Sequence, residues 1–406
     1  MLLLIFQLCT FLFPLSKGSK EFLTFLNGSQ RSSEVCCNDD NILSCTKVKL
    51  DPAKLSSKKI TLKGIQLQFS NEVEPNGYDY KNSQGDEAVL SFNKETGNMF
   101  GSLKTHDGRS FAIEKCHHGH VWKEFNISSF KDDIDVETED RKAILSSREI
   151  PTDRQTIVTY SVMFYYTAEF AAATADIEGY IDQVIDETNE GYINSKIPIR
   201  VAKFCSERAT LNDQDVWEAN LGPFSRMKSS ISALTNTADA AALLVLNNKW
   251  CGYANFFNRR YALQVVQKSC ALGYYTFGHE LGHNFGADHD PRVVPRPRVS
   301  YGRGHLILPS GSRYRTVMAY GTDGHWTRVN YWSNPDVIFP ATNTPTGVRG
   351  ISNNARVLTE NRFTLAAYGD ESGSCGCKSF TQTGEWKPII DCRENLKLAL
   401  TPQMPG

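Results

Sequence analysis

His279-Glu280-Leu281-Gly282-His283-Asn284-Phe285-Gly286-Ala287-Asp288-His289-Asp290 carries the densest chemistry of this 406-residue chain. His279 and His283, four residues apart, stand one helical turn from each other on a common face, so two imidazole nitrogens can meet one metal ion at about 2.0–2.1 Å. Glu280 lies beside them without needing to bind the ion. Its carboxylate is placed to take a proton from a water held at an open coordination position. Gly286 suits a helix end with positive φ, a turn that lets His289 supply a third ligand. Histidine is scarce, nine residues in all, so three at these offsets with Glu and Gly between them are a specific pattern. A helix whose histidines merely satisfied core hydrogen bonds would leave Glu280 on a half-buried face without a reason.

Downstream, Thr316-Val317-Met318-Ala319-Tyr320 supplies a second motif. Taken together, the two resemble the metzincins, whose zinc signature is HExxHxxGxxH and whose second marker is a Met-turn. HELGHNFGADHD looks most like the adamalysin/reprolysin branch, where Asp follows the third His. The likeness covers about residues 157–368. It includes Cys270 to Phe277 (CALGYYTF), Val329 to Pro335 (VNYWSNP) and Asn354 to Leu358 (NARVL), which look like a reprolysin-like group that includes peptidyl-Asp endopeptidases. Asp specificity is not carried over from that likeness.

The resemblance implies an α/β zincin catalytic domain with a twisted mixed sheet, a zinc helix, a cleft, and a smaller irregular lobe after His289. It implies one Zn2+ on His279, His283 and His289, Glu280 as general base, and Met318 as an apolar floor beneath them. Calcium is left open. Adamalysins usually carry Pro where this chain has Tyr320, as astacins and serralysins do. Tyr320 either donates to a developing oxyanion or packs beneath the cleft with its hydroxyl on backbone. The expected reaction is hydrolysis of peptide bonds in protein or peptide substrates. A binding protein that keeps the scaffold without catalysis is the alternative from another class, and Glu280 argues against it.

Lys plus Arg (44) nearly balances Asp plus Glu (45), so no basic field draws in nucleic acid. The run Met1 to Leu15 followed by Ser16-Lys17-Gly18 reads as a signal peptide (1–18), too short for a membrane span, and a secreted, extracellular monomer is expected. Eleven cysteines, ten without Cys9, fit an oxidising compartment, as do the sequons at Asn27 and Asn126. Residues 19–150 read as a β-rich pro-domain of short alternating segments such as Ile60 to Phe69, split by Asn-Gly and Thr-Gly turns. The charged run Asp132 to Lys142 reads as an exposed connector, with Arg141-Lys142, Arg148 and Arg154 as cut sites. The catalytic domain then spans 151–370, and 371–406 is a Cys-containing tail.

Within 151–370, Ile157 to Tyr166, Ile197 to Phe204 and Ala241 to Leu246 read as strands, and Tyr261 to Val266 as an edge strand. Ile177, Ile181, Val184, Ile185 and Tyr192 recur at helical spacing, and a second helix around Ser225 to Leu234 starts near Pro223. A Cys251–Cys270 bridge would fix the entry of the zinc helix. Cys375 and Cys377 sit too close to bridge each other, so one or both tie the tail to Cys205 or Cys392. Cys116, in Cys116-His117-His118-Gly119-His120, admits three readings: a thiolate that plugs the zinc as a cysteine switch, part of a second metal cluster, or an ordinary disulfide with Cys36, Cys37 or Cys45.

Overall fold

The computed structural model of the chain describes residues 22–26, 37, 41–55, 57–73, 77–94, 96–132, 156–230, 238–256, 262–308, 313–321, 326–367, 378–380 and 386–388. The expected leader, the four basic cut-site residues, and Cys36, Cys375, Cys377 and Cys392 lie outside the described residues.

The N-terminal part is one antiparallel sheet. Its strands are β1 (Leu23–Phe25), β2 (Ile42–Leu50), β3 (Lys59–Leu62), β4 (Ile65–Val73), β5 (Gly77–Lys81), β6 (Glu87–Phe92), β7 (Met99–Lys104), β8 (Ser110–Cys116) and β9 (Gly119–Phe125). β3 to β9 run as a meander, and β2 then β1 add beyond β9. Alternation sends Leu62, Leu67, Tyr80, Leu90, Leu103, Phe111 and Trp122 into one core. The β3–β4 turn is Lys63-Gly64, both at positive φ (48° and 82°), the two-residue geometry that matches strand twist.

The second unit is α/β. It comprises β10 (Val158–Tyr166), α1 (Ala168–Ala172), α2 (Ile177–Asn194), β11 (Ile199–Arg208), α3 (Leu221–Ser230), β12 (Ala240–Val245), β13 (Gly252–Ala254), β14 (Ala262–Gln267), α4 (Lys268–Ala271) and α5 (Thr276–Phe285). The sheet order is β11-β10-β12-β14-β13, all pairs parallel except β13 with β14. Of the strand expected at the edge, Tyr261 to Val266, the described part from Ala262 on is therefore interior. Three residues, Gly252-Tyr253-Ala254, form the edge instead, and a segment that short shows no period in the sequence. α3 begins at Leu221, two residues ahead of Pro223, which sits where the first turn tolerates proline. After α5 the described residues form the short strands β15 (Leu306–Ile307), β16 (Tyr314–Arg315), β17 (Thr327–Arg328), β18 (Ile338–Phe339) and β19 (Thr344–Pro345), then α6 (Asn354–Leu365) and the pair β20 (Lys378–Phe380) and β21 (Trp386–Pro388). Among the described residues no helix is long and apolar enough to cross a membrane.

α2 lies between the two sheets. Asp176 caps it through the Gly179 N–H at 2.9 Å. Tyr180, Ile181, Val184, Ile185 and Tyr192 join the α/β core. Its other side meets the N-terminal sheet through the ring of Phe100, edge-on to Tyr180, and otherwise through polar groups. Gln183 donates to Val89 O at 3.0 Å, Ser91 donates to Asp186, and Lys81 reaches Glu190 and, at 2.6 Å, Asn194. Lys81 also lies 2.7 Å from Asp79 and 3.3 Å from Glu87, so an ammonium already fills the centre of the Asp79–Glu87–Glu190 carboxylate cluster. No metal is called for there.

Glu187, also on α2, is buried and accepts the Gly273 N–H at 2.8 Å. Burial raises its carboxyl to about 8. Between the ordinary carboxylate range and that value the folded chain keeps the proton while the unfolded chain loses it, so Glu187 makes stability fall as pH rises through this window. Glu187→Gln, which mimics the protonated form, is expected to match the parent near pH 5 and to melt progressively higher than it toward pH 8. Paired melting scans at pH 5, 6.5 and 8 check this; a constant difference would refute it.

Candidate metal centre

α5 brings its histidines into the α/β core, with Phe277, Leu281 and Phe285 packed among the sheet side chains. The expected bridge forms between Cys251, the residue before β13, and Cys270, in α4, so the edge strand and the lead into α5 are tied together. Gly286 ends the helix in the left-handed region at φ 95°, and the Ala287 N–H returns to Gly282 O at 2.8 Å. The chain then turns under the helix and delivers His289. Asp290 fixes that turn by accepting the backbone N–H groups of Tyr320 and Arg292, both at 3.0 Å.

The three rings converge. His279 Nε2 lies 3.1 Å from His283 Nε2 and 3.2 Å from His289 Nε2. A tetrahedral ion with bonds of about 2.0–2.1 Å sets its nitrogen ligands about 3.3 Å apart, so the spacing suits zinc with little adjustment. On the far sides of the rings, His279 Nδ1 is 2.8 Å from Val317 O and His283 Nδ1 is 3.1 Å from Ala287 O. Those carbonyls hold the ring proton on Nδ1 and leave the Nε2 lone pairs pointing inward. Burial first, and the neighbouring His283 next, push His279 and His289 well below the usual histidine range, which keeps them neutral. Neutral lone pairs this close repel each other unless a cation lies among them. The donor set therefore fits a zinc ion.

Met318 is fully buried beneath the helix, as expected of a floor. A side chain at Gly282 would lie 2.5 Å from Met318 Sδ and 2.8 Å from the Trp332 ring, so mid-helix glycine is what lets α5 descend onto the Met-turn. Tyr320 is in the site: its ring centroid is 3.9 Å from that of His289. Glu280 is fully buried against the edge strand, where a Cβ on Gly252 would come within 2.7 Å of its carboxylate. Gly252 thus leaves the room that the Glu280 carboxylate occupies. Nothing in the sequence near Gly252 announces this, because the contact joins positions 28 residues apart through the sheet.

Cys116 is a correction. It is disulfide-bonded and buried in a small core with Cys37, Ile42, Cys45, Val121 and Phe125. A sulfur in a disulfide has no thiolate to offer a metal, so the cysteine-switch reading fails. The second-metal reading fails with it: His120 Nε2 accepts the Met99 N–H at 3.1 Å, and neither metal-sized cluster among the described residues includes this run. Cys37 pairs with Cys45, and Cys205 is also in a disulfide. Asp132 is a second correction. Instead of starting an exposed connector, it contacts Arg315, Arg328 and Tyr274.

Residues 157–333 match the family model Reprolysin_5, metallo-peptidase family M12. The chain is 33% identical over 213 residues to a peptidyl-Asp metalloendopeptidase of Stenotrophomonas maltophilia (strain R551-3), covering 50% of each chain. To the protein of that name in Xanthomonas campestris pv. campestris it is 29% identical, over 48% of this chain and 47% of the relative. To the one in Pseudomonas fragi it is 28% identical, over 45% of this chain and 99% of the relative. The chain spans about half the length of the first two relatives. Residues 157–333 carry a reprolysin-like metallopeptidase domain.

Two outcomes are expected here. Metal analysis of the full chain should find one zinc, with His283→Ala reducing occupancy below about a tenth because a three-nitrogen site loses a ligand. Gly282→Ala should lower stability by about 1–3 kcal/mol, read as a lower melting temperature, because the added methyl overpacks against Met318 and Trp332.

Proposed function

We propose that this chain is a secreted zinc-dependent endopeptidase, with 1–18 as its signal peptide, 19–150 as a removable pro-domain, 151–370 as a zincin catalytic domain and 371–406 as a tail. The single observation that carries the reading is the convergence of the His283 and His289 Nε2 atoms to within 3.2 Å of His279 Nε2, with the buried carboxylate of Glu280 on the same helix. The family match supports the same chemistry, and the name of the relatives points to a bond beside an aspartate. We take that preference as part of the proposal.

When bound, the ion supplies Lewis acidity: it polarises the scissile carbonyl and makes an attacking water more acidic. His279, His283 and His289 hold it through Nε2, with the carbonyls of Val317 and Ala287 fixing two of the rings. Glu280 accepts the proton of the attacking water and returns it to the departing amine nitrogen, so no covalent intermediate with the protein is required. The antiparallel edge strand β13 offers backbone groups to an extended substrate, beside Glu280. Tyr320, whose ring lies tilted against that of His289, donates its hydroxyl to the developing oxyanion.

Glu280→Gln is expected to retain zinc and lose about 10²–10⁴-fold in peptide hydrolysis, measured on a quenched peptide library with cleavage sites read by mass spectrometry. Full activity in that variant would sink the mechanism. Gly252→Ala should keep zinc yet lower kcat by about 10²-fold through displacement of Glu280. Tyr320→Phe should lower kcat by a similar factor, about 10²-fold; unchanged turnover would remove Tyr320 from the mechanism.

A further inference from the structure

Arg315 and Arg328 are register partners on the parallel strands β16 and β17, which sets two guanidiniums side by side. Their side chains are 4% and 0% exposed. Like charges so placed repel and are tolerated when an anion joins them. Each guanidinium is also anchored to backbone: Arg315 Nη1 donates to Ala319 O at 2.8 Å, and Arg328 Nη1 donates to Tyr274 O at 3.0 Å. The pair is thus held by the catalytic unit's own backbone. It also borders the metal centre, since Ala319 separates Met318 from Tyr320 and Tyr274 immediately precedes the turn into α5.

The anion comes from the other unit. Asp132 receives Arg315 through both nitrogens, Nη1 to Oδ2 and Nη2 to Oδ1, each at 3.0 Å, the two-pronged geometry of carboxylate recognition. Arg328 Nη2 adds a bond at 3.3 Å and the Tyr274 hydroxyl one at 2.6 Å. The Asp132 side chain remains 26% exposed, so it enters from the surface into a pocket whose walls are buried. Its neighbours align with the edge of the sheet. Lys131 O accepts the Cys251 N–H at 3.0 Å, one residue before β13, and Phe130 packs on Tyr274 at 4.9 Å between centroids. A backbone rung on the edge-strand side and a carboxylate in a cationic pocket beside the metal centre are what a bound acidic peptide would provide.

We propose that Arg315, Arg328 and Tyr274 form the subsite that reads an aspartyl side chain of the substrate, and that Asp132 fills it from within the same chain. The proposal rests on the peptidase reading and adds both the specificity residues and a mode of self-occlusion. An acidic substrate must displace the 130–132 segment before it can seat its own carboxylate.

The test is binding, read apart from catalysis. A fluorescent peptide spanning residues 128–136, carrying Asp or Asn at position 132, is titrated by polarisation into the zinc-loaded full chain made uncuttable by Glu280→Gln. With Asp132→Ala also present, the Asp peptide should bind at least about tenfold tighter than the Asn peptide, because a pocket built for a carboxylate rejects its neutral isostere. It should also bind at least about tenfold tighter than it does to the chain that keeps Asp132. Adding Arg315→Lys should bring the Asp-to-Asn ratio toward one. Equal affinity for the two peptides, or no binding to a folded Asp132→Ala chain, overturns the proposal. Asp132→Asn, which preserves volume, replaces Asp132→Ala with the same outcomes if the latter fails to fold. Casein hydrolysis by the chain with Glu280 intact separates the two readings. A chain that binds the Asp peptide selectively but cuts nothing keeps the pocket and loses the peptidase, whereas one that cuts but shows no carboxylate preference loses the pocket.

Discussion

Three imidazole lone pairs facing one another inside a dry pocket repel, and the surrounding structure is arranged to hold them in place. Carbonyls of Val317 and Ala287 take the far-side protons of His279 and His283. Gly286 turns the chain, and Asp290 pins the turn to the Tyr320 backbone. Gly282 lets the helix sit on Met318 and Trp332. Each is a local sacrifice of helix propensity, side-chain volume or conformational freedom, of the kind found where a fold is shaped around a cation.

The metal cluster was legible because its parts are local. An i, i+4 pair and a fixed-offset turn are properties of one short segment, and Gly286 behaves as its position demanded. The same holds for the Val158–Tyr166 strand and the Ile177–Asn194 helix, whose periods are long enough to register. What escaped was non-local. Edge status belongs to a whole sheet, and the antiparallel pairing of Gly252–Ala254 with Gln264 to Val266, which makes the latter interior, has no local signature in the sequence. Asp132 sits in a run so acidic that solvent seemed its natural partner. Its actual partners, Arg315 and Arg328, stand 183 and 196 positions away. Cys116 was ambiguous for a related reason: spacing cannot reveal which sulfur a cysteine meets.

Charged groups buried between the two units occur in sets of opposite sign, one central group facing two or three partners. Lys81 is surrounded by Asp79, Glu87 and Glu190, Glu114 lies between Lys123 and Lys268, and Asp132 joins Arg315 to Arg328. Removing one member of such a set strands a charge away from water, at a cost of about 3–5 kcal/mol. These sets therefore fix the alignment of the units more than they add to net stability, since an apolar contact of equal area would hold as well while tolerating sliding.

That choice has a consequence for the fate of α2. The side of this helix turned to the N-terminal sheet presents Gln183, Asp186, Glu187 and Glu190 rather than aliphatic groups. Were the sheet withdrawn, the newly bared helix would be wettable at once, and Glu187 and Glu190, whose carboxyls burial holds up, would shed protons into the solvent and repel each other. A parted α/β unit would bare a face more anionic than sticky, with the ring of Tyr180 as its apolar spot, and alkaline surroundings would hinder the halves from rejoining.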